Sequence, residues 1–150
     1  HAYMLRHEAP YRDWILEYVG AWAERTRRNG GNTPTNVGLD GAIGGEFGGR
    51  WYKGNYGWNN SRWLPEKQAY GHWNTFSVGM WTGFGNAYLL TGDEAWLDVL
   101  RKQTGNVFEQ AKVVDGTRMI PFNYGEFEGR TGWYNYRPAT NPATPSPTAA

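Results

Sequence analysis

The chain has 150 residues, a length that ordinarily forms one domain with a sizeable buried core. Its formal net charge of +1 at pH 7 gives no general attraction to nucleic acid or to an anionic membrane, so neither is expected as a partner. Cysteine is absent, which excludes disulfides and thiolate metal sites, and no apolar stretch of about 18 residues predicts a membrane helix.

The first predicted helix runs from about Pro10 to Asn29. Pro10 suits the opening turn, where its missing N–H costs nothing, and Gly30 supplies a left-handed stop. Aromatic and aliphatic side chains recur with the helical period and predict one buried face: Tyr11, Trp14, Ile15, Tyr18, Val19 and Trp22. Trp14 and Trp22 are therefore expected in the core, as is Trp96 on the third predicted helix.

Residues 29–81 abandon any regular hydrophobic period and form a glycine- and aromatic-rich run. A loop of this length in a compact domain is typically a binding loop or an active-site wall. It contains five of the nine tryptophans, namely Trp51, Trp58, Trp63, Trp73 and Trp81. It also carries Asp40, Glu46, Arg50, Arg62 and His72. Flat apolar rings beside carboxylates and amides suit the C–H faces and hydroxyl rims of sugars, so a saccharide is the first hypothesis.

Two further helices and a short hairpin follow. A second helix is predicted over about 74–90, and Gly92 then turns the chain into a third helix, capped by Asp93 and ending near Ala111. The Asp115-Gly116 pair between short apolar runs predicts a β-hairpin. Residues 121–138 are expected to be a loop with stacked aromatics. The segment 139–150 is rich in Pro, Thr and Ala and predicts a linker or disordered tail.

The loop offers two carboxylates for catalysis. Asp40 and Glu46 lie six positions apart, and a carboxylate pair is the minimum for glycoside hydrolysis. The alternatives are that Asp40 caps its own turn, as Asp before glycine commonly does, and that Glu46 is solvated or pairs with Arg50.

Aromatic and amide side chains of the same loop are the candidates for substrate binding. They are Trp51, Tyr52, Trp58, Asn59, Arg62 and Trp73. Glycine brings the backbone close and lets neighbouring rings present a face to a sugar. Alternatively, the rings fill the space beneath their own loop as a satellite cluster.

No cofactor or metal is expected. The chain has three histidines, two of them within the first seven residues, and no carboxylate cluster with ligand spacing. The glycines of GAIGGEFGG lack the order of a phosphate-binding loop, so nucleotide binding is rejected.

The phrase YLLTGDEAWLDVLRKQ, the glycine-rich aromatic loop before it and the GWYNY segment after it resemble the repeating hairpin of the (α/α)6-toroid enzymes, the six-hairpin glycoside hydrolases and polysaccharide lyases. The resemblance implies a mainly α fold of antiparallel helical hairpins with long loops. Residues 1–138 would form an incomplete arc of a toroid, whose remaining hairpins would be partners outside this sequence. It also implies a cleft in which a polysaccharide or oligosaccharide is bound and cut, which favours a periplasmic or secreted protein.

In toroid lyases a Tyr or His takes a proton from a uronate while Asn or His neutralises its carboxylate. The resemblance therefore adds Tyr56 and His72 as candidate catalytic residues, beside the two loop carboxylates. The residues available to neutralise the uronate carboxylate are Asn59, Asn60, Arg62 and Asn74. Hydrolase and lyase both stay open, and the alternative is a non-catalytic glycan-binding or helical-repeat interaction module.

Overall fold

A computed structural model describes residues 2–52, 56–57, 62–64, 69–71 and 80–139, with the backbone alone for residues 57, 62–64 and 69–71. In chain order the helices are α1 (Ala2–Arg6), α2 (Ala9–Arg28), a π-helical turn (Trp81–Gly85), α3 (Asn86–Thr91) and α4 (Ala95–Phe108). The strands are β1 (Tyr56–Gly57), β2 (Arg62–Leu64), β3 (Ala69–Gly71), β4 (Lys112–Val114), β5 (Thr117–Phe127) and β6 (Arg130–Pro138). All but the first residue of the predicted tail lie outside the described residues.

Helix α2 confirms the first predicted helix. Pro10 lies in its first turn, and the chain leaves the helix through Gly30 and Gly31, with φ of +65° and +88°. Their N–H groups donate to Arg27 O at 3.2 Å and to Thr26 O at 2.8 Å, which satisfies two of the terminal carbonyls. The predicted left-handed stop is therefore present, and it directs the chain towards α4.

The predicted burial of Trp14 is wrong, because its side chain is 65% exposed and stacks on Tyr18, which is 55% exposed. Helix α2 turns a neighbouring stripe inwards, on which Val19, Ala23 and Thr26 are buried. Alanine and threonine contribute little to a hydrophobic pattern, so the tryptophan and tyrosine dominated the sequence signal and shifted the predicted face. Trp22 and Trp96 are partly buried against the core, in agreement with their prediction.

The turn between the second and third predicted helices is confirmed. Gly92 adopts φ +71°, and its N–H donates to Tyr88 O at 2.7 Å. Asp93 Oδ1 accepts from the Ala95 N–H at 2.9 Å at the start of α4. Residues 74–79, the first part of the second predicted helix, lie outside the described residues.

Helix α4 buries a face that alternates apolar and amide side chains. The buried positions are Val99, Leu100, Gln103, Asn106 and Val107. Phe108, the last residue of the helix, is 40% exposed, with the Arg118 guanidinium 5.6 Å from its ring. Two buried amides at helical spacing must find hydrogen-bond partners.

The fold is α+β, so the mainly α prediction, with its toroid arc, is wrong. The Asp115-Gly116 hairpin is confirmed, with φ of +49° and +74° at the turn, but β5 continues to Phe127 and β6 returns antiparallel to Pro138. Strand β4 also pairs with the first three residues of β5, and β1 pairs with Asn123 and Tyr124 further along it. The predicted loop 121–138 is therefore the longest hairpin of the described chain.

The β5 and β6 hairpin escaped the hydrophobic pattern because its buried positions, apart from Ile120, are not apolar aliphatics. Pro121, Asn123 and Gly125 are buried on one face of β5, whereas the aromatic rings of Phe122 and Tyr124 on the other face are half-buried. Burial does alternate along this part of β5, but the buried face carries polar and small residues in place of large apolar ones.

The core lies between α2, the π-helical turn and α4, and tyrosines from the loop region complete it. Its buried members are Val19, Ala23, Tyr52, Tyr56, Met80, Phe84, Ala87, Val99, Leu100 and Val107. Strand β1 places Tyr56 in this core by pairing with Tyr124 of β5. Among the described helices, none is both long and apolar enough to cross a membrane.

We expect Gly31→Ala to destabilise the domain more than Gly30→Ala. Both positions have left-handed backbones, which costs about 1–2 kcal/mol for alanine. A methyl at position 31 would also lie 2.5 Å from Lys102 Cγ and 3.1 Å from Asn106 Nδ2, whereas one at position 30 meets nothing within 4 Å. The clash should add about 1–3 kcal/mol. Urea unfolding of both variants checks this; equal losses would contradict the packing described here.

Candidate functional site

The loop after α2 is fastened to α4 by the buried side chain of Gln103. Its Oε1 accepts from the Thr33 N–H at 2.6 Å and from the Tyr56 hydroxyl at 3.0 Å. Its Nε2 donates to Asn32 Oδ1 at 3.0 Å. One amide therefore joins α4, the start of the loop and strand β1.

A second amide, Asn36, closes the loop on itself. Its Nδ2 donates to Arg50 O at 3.0 Å and to Tyr52 O at 2.9 Å, and its backbone N–H donates to Trp51 O at 3.1 Å. The intervening residues 37–49 turn back through an isolated bridge between Val37 and Ile43. The closure fixes where Trp51 and Tyr52 leave the loop.

Trp51 and Tyr52 meet rings of the β5 and β6 hairpin in what we call the aromatic cluster: Trp51, Tyr52, Tyr56, Tyr124 and Trp133. The Trp51 centroid lies 4.7 Å from that of Tyr56 and 5.2 Å from that of Tyr124. Tyr124 and Trp133 are directly opposite each other on β5 and β6, with centroids 5.2 Å apart. Such edge and tilted contacts stabilise aromatic pairs beyond the area they bury.

Burial divides the aromatic cluster into a base and an outer layer. Tyr52 and Tyr56 are buried, whereas Trp51, Tyr124 and Trp133 are half-buried and reach the surface. Burial raises the pKa of Tyr56 far above its ordinary value, because the phenolate would lose its hydration. Burial also raises the pKa of Tyr124, with a further contribution from Tyr52. The outer layer is therefore uncharged near neutral pH and rests on a packed base.

An ion pair borders the outer layer. Arg50 Nη2 lies 2.9 Å from Glu126 Oε1, and the two side chains are 57% and 59% exposed. Arg50 precedes Trp51 in the chain, and Glu126 shares a face of β5 with Tyr124 two positions earlier. Because the pair is exposed, it contributes little stability, about 0–1 kcal/mol, and most of its hydrogen-bonding capacity faces solvent.

The two carboxylates of the predicted catalytic pair are engaged by their own loop. Asp40 Oδ1 accepts from the Ala42 N–H at 2.9 Å, so the alternative that Asp40 caps its own turn is confirmed. Glu46 Oε1 accepts from the Leu39 N–H at 3.0 Å. The suggested partner of Glu46, Arg50, instead pairs with Glu126.

The remaining candidates differ in how far the structure describes them. Trp51 and Tyr52 lie in the aromatic cluster, as does Tyr56, whose buried hydroxyl with a raised pKa is a poor base for a substrate proton. For Arg62 the backbone is described, in β2 opposite Gly71. The candidates outside the described residues are Trp58, Asn59, Asn60, His72, Trp73 and Asn74. Within the described part of the chain, no three His, Cys, Asp or Glu residues converge as a metal site would require.

Sequence reasoning missed Tyr124, Glu126 and Trp133, because residues 121–138 were expected to be a loop. The missed signal was the alternation of Phe122, Tyr124 and Glu126, followed by a Glu-Gly turn. It also missed Gln103, whose signal was an amide at a core position of α4 between Leu100 and Val107.

A cavity of about 360 Å³ lies between the end of α2 and α4. Its walls include Thr26, Val99 and the paired glycines after α2, and its charged residues are Arg27, Asp98 and Lys102. Among the described residues no aromatic side chain lines this cavity, whereas the aromatic cluster offers a flat apolar surface.

The fold and the site define an α+β domain that displays a half-buried aromatic cluster beside an exposed ion pair. The chain belongs to the family described as "Domain of unknown function (DUF8034)", whose model matches residues 1–146. No curated protein and no solved structure matches the chain. A functional relationship to the six-hairpin enzymes therefore stays a prediction. The α+β fold of this chain is not that of a toroid.

We expect Gln103→Leu to cost about 3 kcal/mol of unfolding free energy, because it removes the oxygen that accepts from the half-buried Thr33 N–H and from the buried Tyr56 hydroxyl. Tyr56→Phe removes one hydroxyl and should cost about 1 kcal/mol. The double variant should lose less than the sum, since both changes break one shared bond. Gln110→Leu, an exposed glutamine after α4, serves as the control and should change stability by less than about 0.5 kcal/mol. Additive losses in chemical denaturation would contradict a shared bond.

Stability should fall in alkaline solution because of Tyr56. Below its ordinary pKa of 10.0 the side chain is neutral in both the folded and the unfolded state, so it contributes no pH dependence. Above that pH the unfolded chain releases a proton that the folded chain retains, and the free energy of unfolding decreases by about 1.4 kcal/mol per pH unit. Urea unfolding between about pH 9 and about pH 11 measures this slope, and Tyr56→Phe should reduce it. An unchanged slope in the variant would place the Tyr56 hydroxyl in contact with water.

Proposed function

We propose that this domain binds a saccharide at the outer layer of the aromatic cluster. The observation that supports the proposal is the arrangement of three half-buried rings beside an exposed ion pair, in which Tyr124 contacts both Trp51 and Trp133. Sugars present apolar C–H faces that pack on aromatic rings and hydroxyls that hydrogen-bond at their rims. The site offers both kinds of surface side by side.

The outer rings are well supported before any ligand arrives. Trp51 contacts both Tyr52 and Tyr56 beneath it, and Trp133 lies 6.4 Å from Tyr56, measured between centroids. The Asn36 bonds hold the backbone on either side of Trp51. A surface whose rings are already ordered loses little conformational entropy on binding, which favours affinity for a weakly hydrophobic ligand.

The described residues support binding more directly than cleavage. Asp40 and Glu46 each accept from a backbone N–H of their own loop, and Glu126 is paired with Arg50. Hydrolysis of a glycosidic bond uses two carboxylates that flank the bond, one of them protonated. The proposal is therefore a glycan-binding domain.

We expect Trp51→Ala to weaken saccharide binding at least about tenfold, which corresponds to about 1.4 kcal/mol. The matched control is Trp14→Ala, which removes an exposed indole on α2 without touching the aromatic cluster. Isothermal titration with a panel of neutral and uronate hexasaccharides gives the affinities.

Tyr124→Ala provides a second variant of the outer layer, and both Trp51 and Tyr124 pack against the core. Thermal melting of both variants separates a lost binding surface from a lost fold. Absence of binding to any member of the panel, or equal losses in Trp51→Ala and Trp14→Ala, would sink the proposal.

A further inference from the structure

Resting on the proposed function, we infer that the site takes a neutral glycan with vicinal hydroxyls and discriminates against uronate polymers, and that the Arg50–Glu126 pair sets this preference. The sequence alone leaves both the substrates of glycoside hydrolases and the uronate polymers cut by lyases as possible ligands. The charge arrangement at the rim of the aromatic cluster distinguishes the two classes of glycan.

The pair sits where a bound sugar would place its hydroxyls. Arg50 adjoins Trp51 in the chain, and Glu126 follows Tyr124 by two positions on the same face of β5. The residue opposite Glu126 on β6 is Thr131, which is uncharged. Arg130, the nearest cation along β6, pairs with Phe127 in the register and therefore points to the other face of the sheet.

The charges of Arg50 and Glu126 compensate each other across 2.9 Å. A uronate carboxylate that approached Arg50 would meet Glu126 as a like charge and would have to displace it. Among the described residues, the rim therefore offers an acidic sugar no uncompensated cation.

Neutral sugars suit the same pair. A guanidinium has five N–H donors and a carboxylate has about four acceptor positions, and the direct contact uses a small part of them. A hydroxyl both donates and accepts, so one hydroxyl of a vicinal pair donates to Glu126 while its neighbour accepts from Arg50. The ion pair stays intact throughout, because the sugar adds bonds without breaking it.

The experiment compares two ligand classes on wild-type protein and three variants. The neutral probes are cellohexaose, xylohexaose and mannohexaose, and the acidic probes are hexagalacturonate and hexamannuronate. Wild-type protein should bind its best neutral probe at least about tenfold more tightly than either uronate. Glu126→Gln keeps the shape of the side chain and frees Arg50, so uronate affinity should rise at least about fivefold and the neutral preference should shrink.

Arg50→Gln leaves Glu126 charged and without its cation, so uronate binding should weaken further. Asp98→Asn is the matched control, because Asp98 is an exposed carboxylate 2.7 Å from Arg101 on α4, and it should leave both affinities unchanged. Wild-type protein that prefers a uronate, or a Glu126→Gln variant with an unchanged preference, would overturn the inference while leaving saccharide binding intact. Failure of every probe to bind would instead overturn the proposed function itself.

Discussion

The buried amide of Gln103 is the interaction on which the site depends. It lies on α4 and satisfies groups from two otherwise separate segments, the Thr33 N–H at the start of the loop and the Tyr56 hydroxyl of β1. Each of these groups would cost about 1–3 kcal/mol if it were buried without a partner. The loop and the sheet can therefore approach α4 closely because one side chain accepts from both.

This constraint connects the helices to the aromatic cluster. The hydroxyl of Tyr56 donates to Gln103, and its ring contacts Trp51 and Trp133. The position of Tyr56 therefore determines where these two outer rings lie. Asn36 performs the same task for the backbone around Trp51. Two amides and one tyrosine thus convert a glycine-rich loop into a defined surface, and the glycines contribute turns between the fixed points, as at Gly41 and Gly44 with φ of +82° and +69°.

Where a few neighbouring residues determine the backbone conformation, the sequence predicted the structure correctly. Pro10, Gly92 and the Asp115-Gly116 turn act through their own backbones, and α2, the turn before α4 and the first hairpin follow from them. Tertiary packing decided the rest. Trp14 is exposed because Ala23 and Thr26 fit the core instead, and β5 buries Asn123 where a pattern requires an aliphatic residue. Trp51 and Tyr52 were found as aromatics in a glycine-rich loop, whereas Tyr124 and Glu126 became visible only once the register of β5 was known.

The indole N–H resonances of the tryptophans, assigned by Trp→Phe substitution, report most directly on saccharide binding at the aromatic cluster. During titration with the tightest-binding hexasaccharide, the signals of Trp51 and Trp133 should shift and saturate together. The signal of Trp14, exposed on α2, should stay in place. A saturating titration that leaves Trp51 and Trp133 unchanged, or that moves Trp14 alone, would contradict the account.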